Sequence, residues 1–178
     1  MNKTINDLAK SIHAQNVEAG WWDGDGCIFE KLQLVSTEIA EATEGERKDL
    51  MDDHLPQRKM GEVELADALI RLLDIAGRYG WTFNFDTQPR RSIHMANSIA
   101  GKHLMLNASL IAICDMILLN EAPIFVAKFY SQMVAGILYV GNCKDYDIMG
   151  ALHEKVEYNK TRQDHKRENR AKPGGKKF

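Results

Sequence analysis

A chain of 178 residues with 44% hydrophobic residues, 27% charged residues and a formal net charge of −2 is sized and composed for one folded domain, and argues against a second full domain. The near-neutral charge gives no support to a bulk electrostatic partner such as nucleic acid or an anionic membrane. Cys27, Cys114 and Cys143 are odd in number and lack C-x-x-C spacing, which argues against a disulfide framework and for a reducing cytoplasm.

Met1-Asn2-Lys3-Thr4 carries no apolar leader. Thr4 is the expected cap of a first helix on which Ile5, Leu8 and Ile12 recur at helical spacing. His13, Asn16, Trp21 and Trp22 gather near its end, where Gly20, Gly24 and Gly26 predict a loop. A second helix is predicted over 27–47, with Ile28, Leu32, Val35, Ile39 and Ala42 as its packed seam. Lys31, Leu34, Glu38 and Glu41 run beside that seam. A polar connection follows, and a third helix carries the stripe Met60, Val63, Ala66, Ile70, Leu73, Gly77 beside a polar line of Glu64, Asp67, Arg71, Asp74 and Arg78. Gly80 should end it.

The 81–89 stretch, with Phe83, Phe85 and Pro89, is a connection. From 92 to 120 the pattern is helical again, as one helix or two, and Pro123 opens another with Phe125, Phe129, Met133 and Ile137 every four residues. These helices carry almost no chemistry and are predicted to serve packing or a subunit interface. Asn107, Ser109 and Asp115 interrupt the most apolar stretch and argue against a membrane span. A last helix is predicted over 147–162, and residues 163–178 form a basic tail expected to be solvated and mobile. The domain is therefore 1–162, all-α, with 85–150 as extra helices.

The chemistry lies in Glu38-Ile39-Ala40-Glu41 and Glu64-Leu65-Ala66-Asp67. Each pair of acids, three residues apart, projects from one helix face, and an antiparallel hairpin would bring the two pairs together. Converging carboxylates repel unless a cation or protons neutralise them. Magnesium, which takes oxygen ligands and is commonly shared with substrate phosphates, fits such a set, whereas a single surface pair would be an ordinary solvated face. A ferritin-like di-iron bundle needs Glu-x-x-His, which is absent here. The His-Asp dipeptide of another phosphohydrolase class and the Walker glycine loop are absent too.

Glu30-Lys-Leu-x-Leu-x-x-x-Glu38-x-x-Glu41, then Glu64-Leu-Ala-Asp67-x-x-Ile-Arg-Leu-Leu-Asp74, then Glu154-Lys-x-x-Tyr-Asn-x-x-Arg162 with the closing Gly-Gly-Lys-Lys-Phe resemble the MazG-like all-α nucleoside triphosphate pyrophosphohydrolases. The resemblance covers about 1–80 and 150–178, and is similar to members from bacteria and bacteriophages. It implies a helical bundle with a metal site on an antiparallel helix pair, in a homodimer or homotetramer within a bacterial or phage-infected cell. It also implies Mg2+-dependent hydrolysis, with Mn2+ able to substitute, of an NTP or dNTP to monophosphate and pyrophosphate by water attack between the α and β phosphates. The phage MazZ branch suggests dGTP or GTP.

Carried over by position, the metal ligands are Glu38, Glu41, Glu64 and Asp67, with Glu38 and Glu41 catalytic. Thr37 stands where members often carry a further glutamate. Lys31 on the acidic helix line, and Lys155, Asn159 and Arg162 at spacings of four and three, suit an anionic triphosphate. Trp21 and Trp22 offer indole faces to a base, His13 and Asn16 could read a base edge, and Asp74 is placed to orient Lys31 or a water. The rival class is a non-catalytic nucleic-acid-binding protein using the tail, because residues 155–178 hold nine Lys and Arg against three acids. The lack of interleaved aromatics counts against it.

Overall fold

The computed structural model describes residues 2–24, 26–84 and 86–176. Among them the chain is all-helical: α1 (Asn2–Glu18), α2 (Ile28–Lys48), α3 (Met60–Tyr79), α4 (Arg91–Met95), α5 (Ile99–Leu118), α6 (Pro123–Asn142), α7 (Ile148–Thr161), a 3-10 turn (Gln163–His165) and α8 (Arg167–Arg170). Strand-like pairing among the described residues is limited to one isolated Met51–Lys59 bridge. α1 begins at Asn2, two residues ahead of the cap expected at Thr4. Phe85 lies outside the described residues.

α3 is the central element. Its sequence stripe predicts one buried face, yet Val63, Leu65, Ala66, Ala68, Leu69, Leu72, Leu73, Ile75 and Ala76 are all buried, because α1, α2, α6 and α7 each pack against it. Small residues allow the closest approaches. A Cβ on Gly77 would stand 2.5 Å from the His13 Cβ, and one on Gly45 would stand 2.9 Å from the Gly61 backbone nitrogen. Gly45 beside Gly61, and Glu38 beside Arg71, run in opposite chain directions, so α2 and α3 form the antiparallel hairpin. Gly80 ends α3 at φ +67, which lets its N–H reach the Ala76 carbonyl.

The extra helices divide at residues 96–98. Ser98 caps α5 by accepting from the Gly101 N–H, so the 92–120 pattern is two helices. α5 and α6 are both long and apolar enough to cross a membrane by length and composition, and half of α6's most apolar window is buried in the protein. Tyr130 anchors α6 by donating its hydroxyl to the Leu72 carbonyl of α3 at 2.8 Å.

α5 meets α2 through two polar contacts, Ser36 Oγ to Asn107 Oδ1 at 2.9 Å and Thr43 Oγ1 with His103 Nδ1 at 2.8 Å. Thr43 donates to the Ile39 carbonyl, so the neutral ring of His103 donates from Nδ1, and its buried Nε2 has no partner. Burial pushes the His103 pKa down to about 4. The unfolded chain takes up this proton near pH 6.5, whereas the native state resists it, so stability should be lost as pH falls from 6.5 towards 4. The loss is on the order of 3 kcal/mol at the acid end of that window. Urea unfolding across that range should show a fall that His103→Leu lacks; equal slopes for the two proteins would refute the buried neutral ring.

Candidate metal and phosphate site

The i, i+3 spacing puts Glu38 and Glu41 on one face of α2, and the close Gly45–Gly61 crossing draws α3 beneath them. One carboxylate oxygen from each of Glu38, Glu41 and Glu64 falls within 4.8 Å of the others. Glu38 and Glu64 are buried, and Glu41 lies exposed at the rim. Three acids this close need neutralising. Burial, then the charge of Asp67, then contact with Glu38 push the Glu64 carboxyl up to about 9, so at neutral pH a proton does on Glu64 what a cation would do. Burial and Glu38 also raise Glu41. The donor set is all oxygen and partly buried, which fits a hard divalent ion.

The fourth predicted ligand is engaged by a lysine. Asp67 lies one turn beyond Glu64, but its Oδ2 is 2.9 Å from Lys155 Nζ of α7. Lys155, expected at the substrate, is instead almost wholly buried at 2% exposure, within 3.3 Å of His54 Nδ1 on the α2–α3 connection. Burial opposes its charge, yet Asp67 holds its pKa up. Burial, together with the charge of Glu38 against that of Lys155, raises Asp67 to about 6. Both partners are therefore charged at neutral pH.

Arg71, which the sequence places only on a polar line, reaches the acidic cluster. Its Nε donates to Glu38 Oε1 at 2.6 Å, and its Nη2 contacts the same oxygen. The available signal was its position seven residues past Glu64 and four past Asp67, on the acidic face.

Toward the other end of the hairpin, Asp74 is a hub. It accepts from His13 Nδ1 at 2.8 Å, Asn16 Nδ2 at 2.7 Å and Trp22 Nε1 at 2.9 Å. His13 and Asn16, candidates for a base edge, and Trp22, a candidate stacking wall, are thus tied to α3. Lys31 Nζ donates to the Trp21 carbonyl at 2.7 Å and lies 5.0 Å from the centre of the Trp22 ring. Burial lowers its pKa against the pull of Asp74.

Trp21 lines a cavity of about 530 Å³ with Asn159, Arg162 and His165. The Asn159 Oδ1 there is buried without a hydrogen-bond partner, and Arg162 is held by Asp164 at 2.7 Å. Asn159 and Arg162 therefore share the cavity, while Lys155 turns inward to Asp67. Residues expected to form a mobile tail close this wall: the Arg170 guanidinium sits 3.6 Å from the Trp21 ring centre, and its Nη1 donates to the Ala19 carbonyl. Cation–π contact and a half-buried acceptor hold the segment down. A second cavity of about 400 Å³, bordered by Phe83, His94, Tyr139 and Tyr146, contains none of the four acids and no lysine or arginine, and so is ill suited to a triphosphate.

Comparison with protein-family profiles, curated proteins and solved structures finds no match.

Proposed function

We propose that the protein is a Mg2+-dependent nucleoside triphosphate pyrophosphohydrolase of the MazG-like kind, cleaving an NTP or dNTP between the α and β phosphates. The observation that carries this reading is the three-carboxylate cluster, with one oxygen each of Glu38, Glu41 and Glu64 within 4.8 Å of the others. Glu38, Glu41 and Glu64 would hold the ion. When bound, Mg2+ supplies charge neutralisation for phosphate oxygens and acidification of water.

The chain's own residues divide the remaining work. In the reaction a water oxygen bonds to the α phosphorus, the bond to the β-phosphate bridging oxygen breaks, and pyrophosphate departs with that electron pair. Glu41, exposed at the rim and of raised basicity, is the acceptor for the water proton. Arg71 now neutralises Glu38 and is near enough to turn to a phosphate instead. Trp21, one ring face of which is taken by Arg170, and Asn159 both line the cavity where a base would sit.

The nucleic-acid reading is the weaker one. Arg162 and Lys176 both bind Asp164, Arg167 binds Asp23 and Arg170 covers Trp21, so much of the tail's charge is spent internally. Assaying pyrophosphate release from canonical ribo- and deoxyribonucleoside triphosphates should find Mg2+-dependent turnover, with Glu38→Gln lowering kcat by roughly 10²–10⁴-fold. No pyrophosphate from any of them, or full activity in Glu38→Gln, would refute the proposal.

A further inference from the structure

The segment after α7 folds back on the molecule without the apolar burial that ordinarily holds a segment in place. Over 163–176 the apolar side chains are Ala171 and Pro173, both exposed, and Arg170 alone is buried, at 9% exposure. Its docking is therefore polar. Arg167 Nη2 donates to Asp23 Oδ1 at 3.0 Å and to the Val17 carbonyl at 3.3 Å. Arg170 Nη1 donates to the Ala19 carbonyl at 3.0 Å, with its guanidinium against the Trp21 ring. Both cations sit at the carbonyl end of α1, where the helix dipole favours positive charge. Gly20 leaves room for Arg167, since a Cβ there would stand 2.7 Å from the Arg167 Nε.

The anchor is incomplete. The Arg170 Nε is buried with no hydrogen-bond partner, and among the described residues no carboxylate pairs with it, because Asp23 pairs with Arg167. A buried guanidinium held by a ring face and one carbonyl, with no apolar neighbour from its own segment, holds weakly. Segments with so few buried contacts are the first to open. What this one covers is the Trp21 cavity. His165, Lys166, Arg167 and Glu168 form one wall of it, facing residues of α1 and α7. A ligand lodged there touches the segment and the body of the protein at once.

We propose that residues 163–176 are a lid on the Trp21 cavity, latched by Arg170 on Trp21, which opens in the free protein and is held shut by a bound ligand. Contact with both walls makes the ligand favour the closed lid, and by linkage the closed lid binds the ligand more tightly. The lid brings Lys166 and Arg167 to the wall against one acid, Glu168, which suits an anion. The ligand is the nucleoside triphosphate of the proposed function, so the coupling rests on that reading; the latch does not.

Hydrogen exchange of the full chain, followed by mass spectrometry, reads the lid directly, because the Asn169, Arg170 and Ala171 N–H groups donate to carbonyls of the lid itself. These amides should exchange about tenfold faster in Arg170→Gln than in the wild type, with Arg170→Lys between them and the α3 amides unchanged. The α,β-methylene analogues of ATP, GTP, CTP and UTP, with Mg2+, cannot be cleaved at the α–β bridge and serve as the ligand. An analogue that binds by calorimetry should slow lid exchange in the wild type by about tenfold and bind Arg170→Gln about tenfold more weakly. Equal lid exchange in the wild type and Arg170→Gln would overturn the latch. An analogue that binds and leaves lid exchange unchanged would overturn the coupling even if triphosphates are hydrolysed. Binding by none of them would overturn the nucleotide reading and the coupling with it, while faster exchange in Arg170→Gln would still establish the latch.

Discussion

Glu64→Gln is expected to stabilise the metal-free protein while abolishing its Mg2+-dependent turnover. The folded-state pKa of Glu64 is raised to about 9 from 4.5, so the native chain holds a proton that the unfolded chain has released. Its contribution to stability is complete below pH 4.5, falls as pH rises through that window, and is gone by about pH 9. At pH 7 the accumulated loss is about 3 kcal/mol, each pH unit carrying about 1.4 kcal/mol. Glutamine keeps the neutral shape and cannot ionise, so the variant escapes that loss. Urea unfolding with EDTA should show Glu64→Gln more stable than the wild type at pH 7–8 and no more stable near pH 4.5. Added Mg2+ should narrow the gap by stabilising only the wild type. A variant less stable at every pH, or Mg2+ that raises both proteins equally, would show that the cluster is not a cation site kept closed by a proton.

The parts of this site that could be read from sequence are those set by helical period. Glu38 with Glu41, and Glu64 with Asp67, share faces because three residues make nearly one turn, and the hairpin follows from two apolar seams joined by a polar connection. What could not be read depends on contacts between distant segments. Lys155 meets Asp67 from 88 positions further along the chain, and no spacing rule links them; the resemblance at the chain's ending drew attention to Lys155 but gave no hint of Asp67 as a neighbour for its ammonium. Arg170 returns to Trp21 for the same kind of reason, so a segment basic enough to appear solvated is docked instead. Arg71 was visible on the acidic face, yet nothing in a list of helical positions says that a guanidinium would fall 2.6 Å from Glu38. In α5 the periodicity itself was obscured, because apolar residues on two opposite sides cancel the one-sided pattern on which an amphipathic reading depends.

Lys155→Met should be the most damaging substitution outside the carboxylates, and its cost should depend on pH. Removing one member of a buried ion pair leaves the other charge uncompensated, typically a loss of about 3–5 kcal/mol. Asp67 has a way out, because its pKa is already about 6 with the lysine present and would rise further without it. Near pH 5 the unpaired carboxyl simply takes a proton, and the variant should lose little beyond the ammonium's hydrogen bonds. As pH climbs above about 6, where the wild-type Asp67 ionises beside Lys155, the native variant must either hold that proton against solution or bury a bare charge. The difference from wild type should therefore widen by up to about 1.4 kcal/mol per pH unit. Asp67→Asn combined with Lys155→Met removes the unpaired acid and should recover most of the loss at pH 8, a coupling that urea unfolding of the double-mutant cycle measures directly. If Lys155→Met instead unfolds like the wild type at pH 8 and only KM for the triphosphate rises, Lys155 is a substrate contact and the Asp67 pair has no structural role.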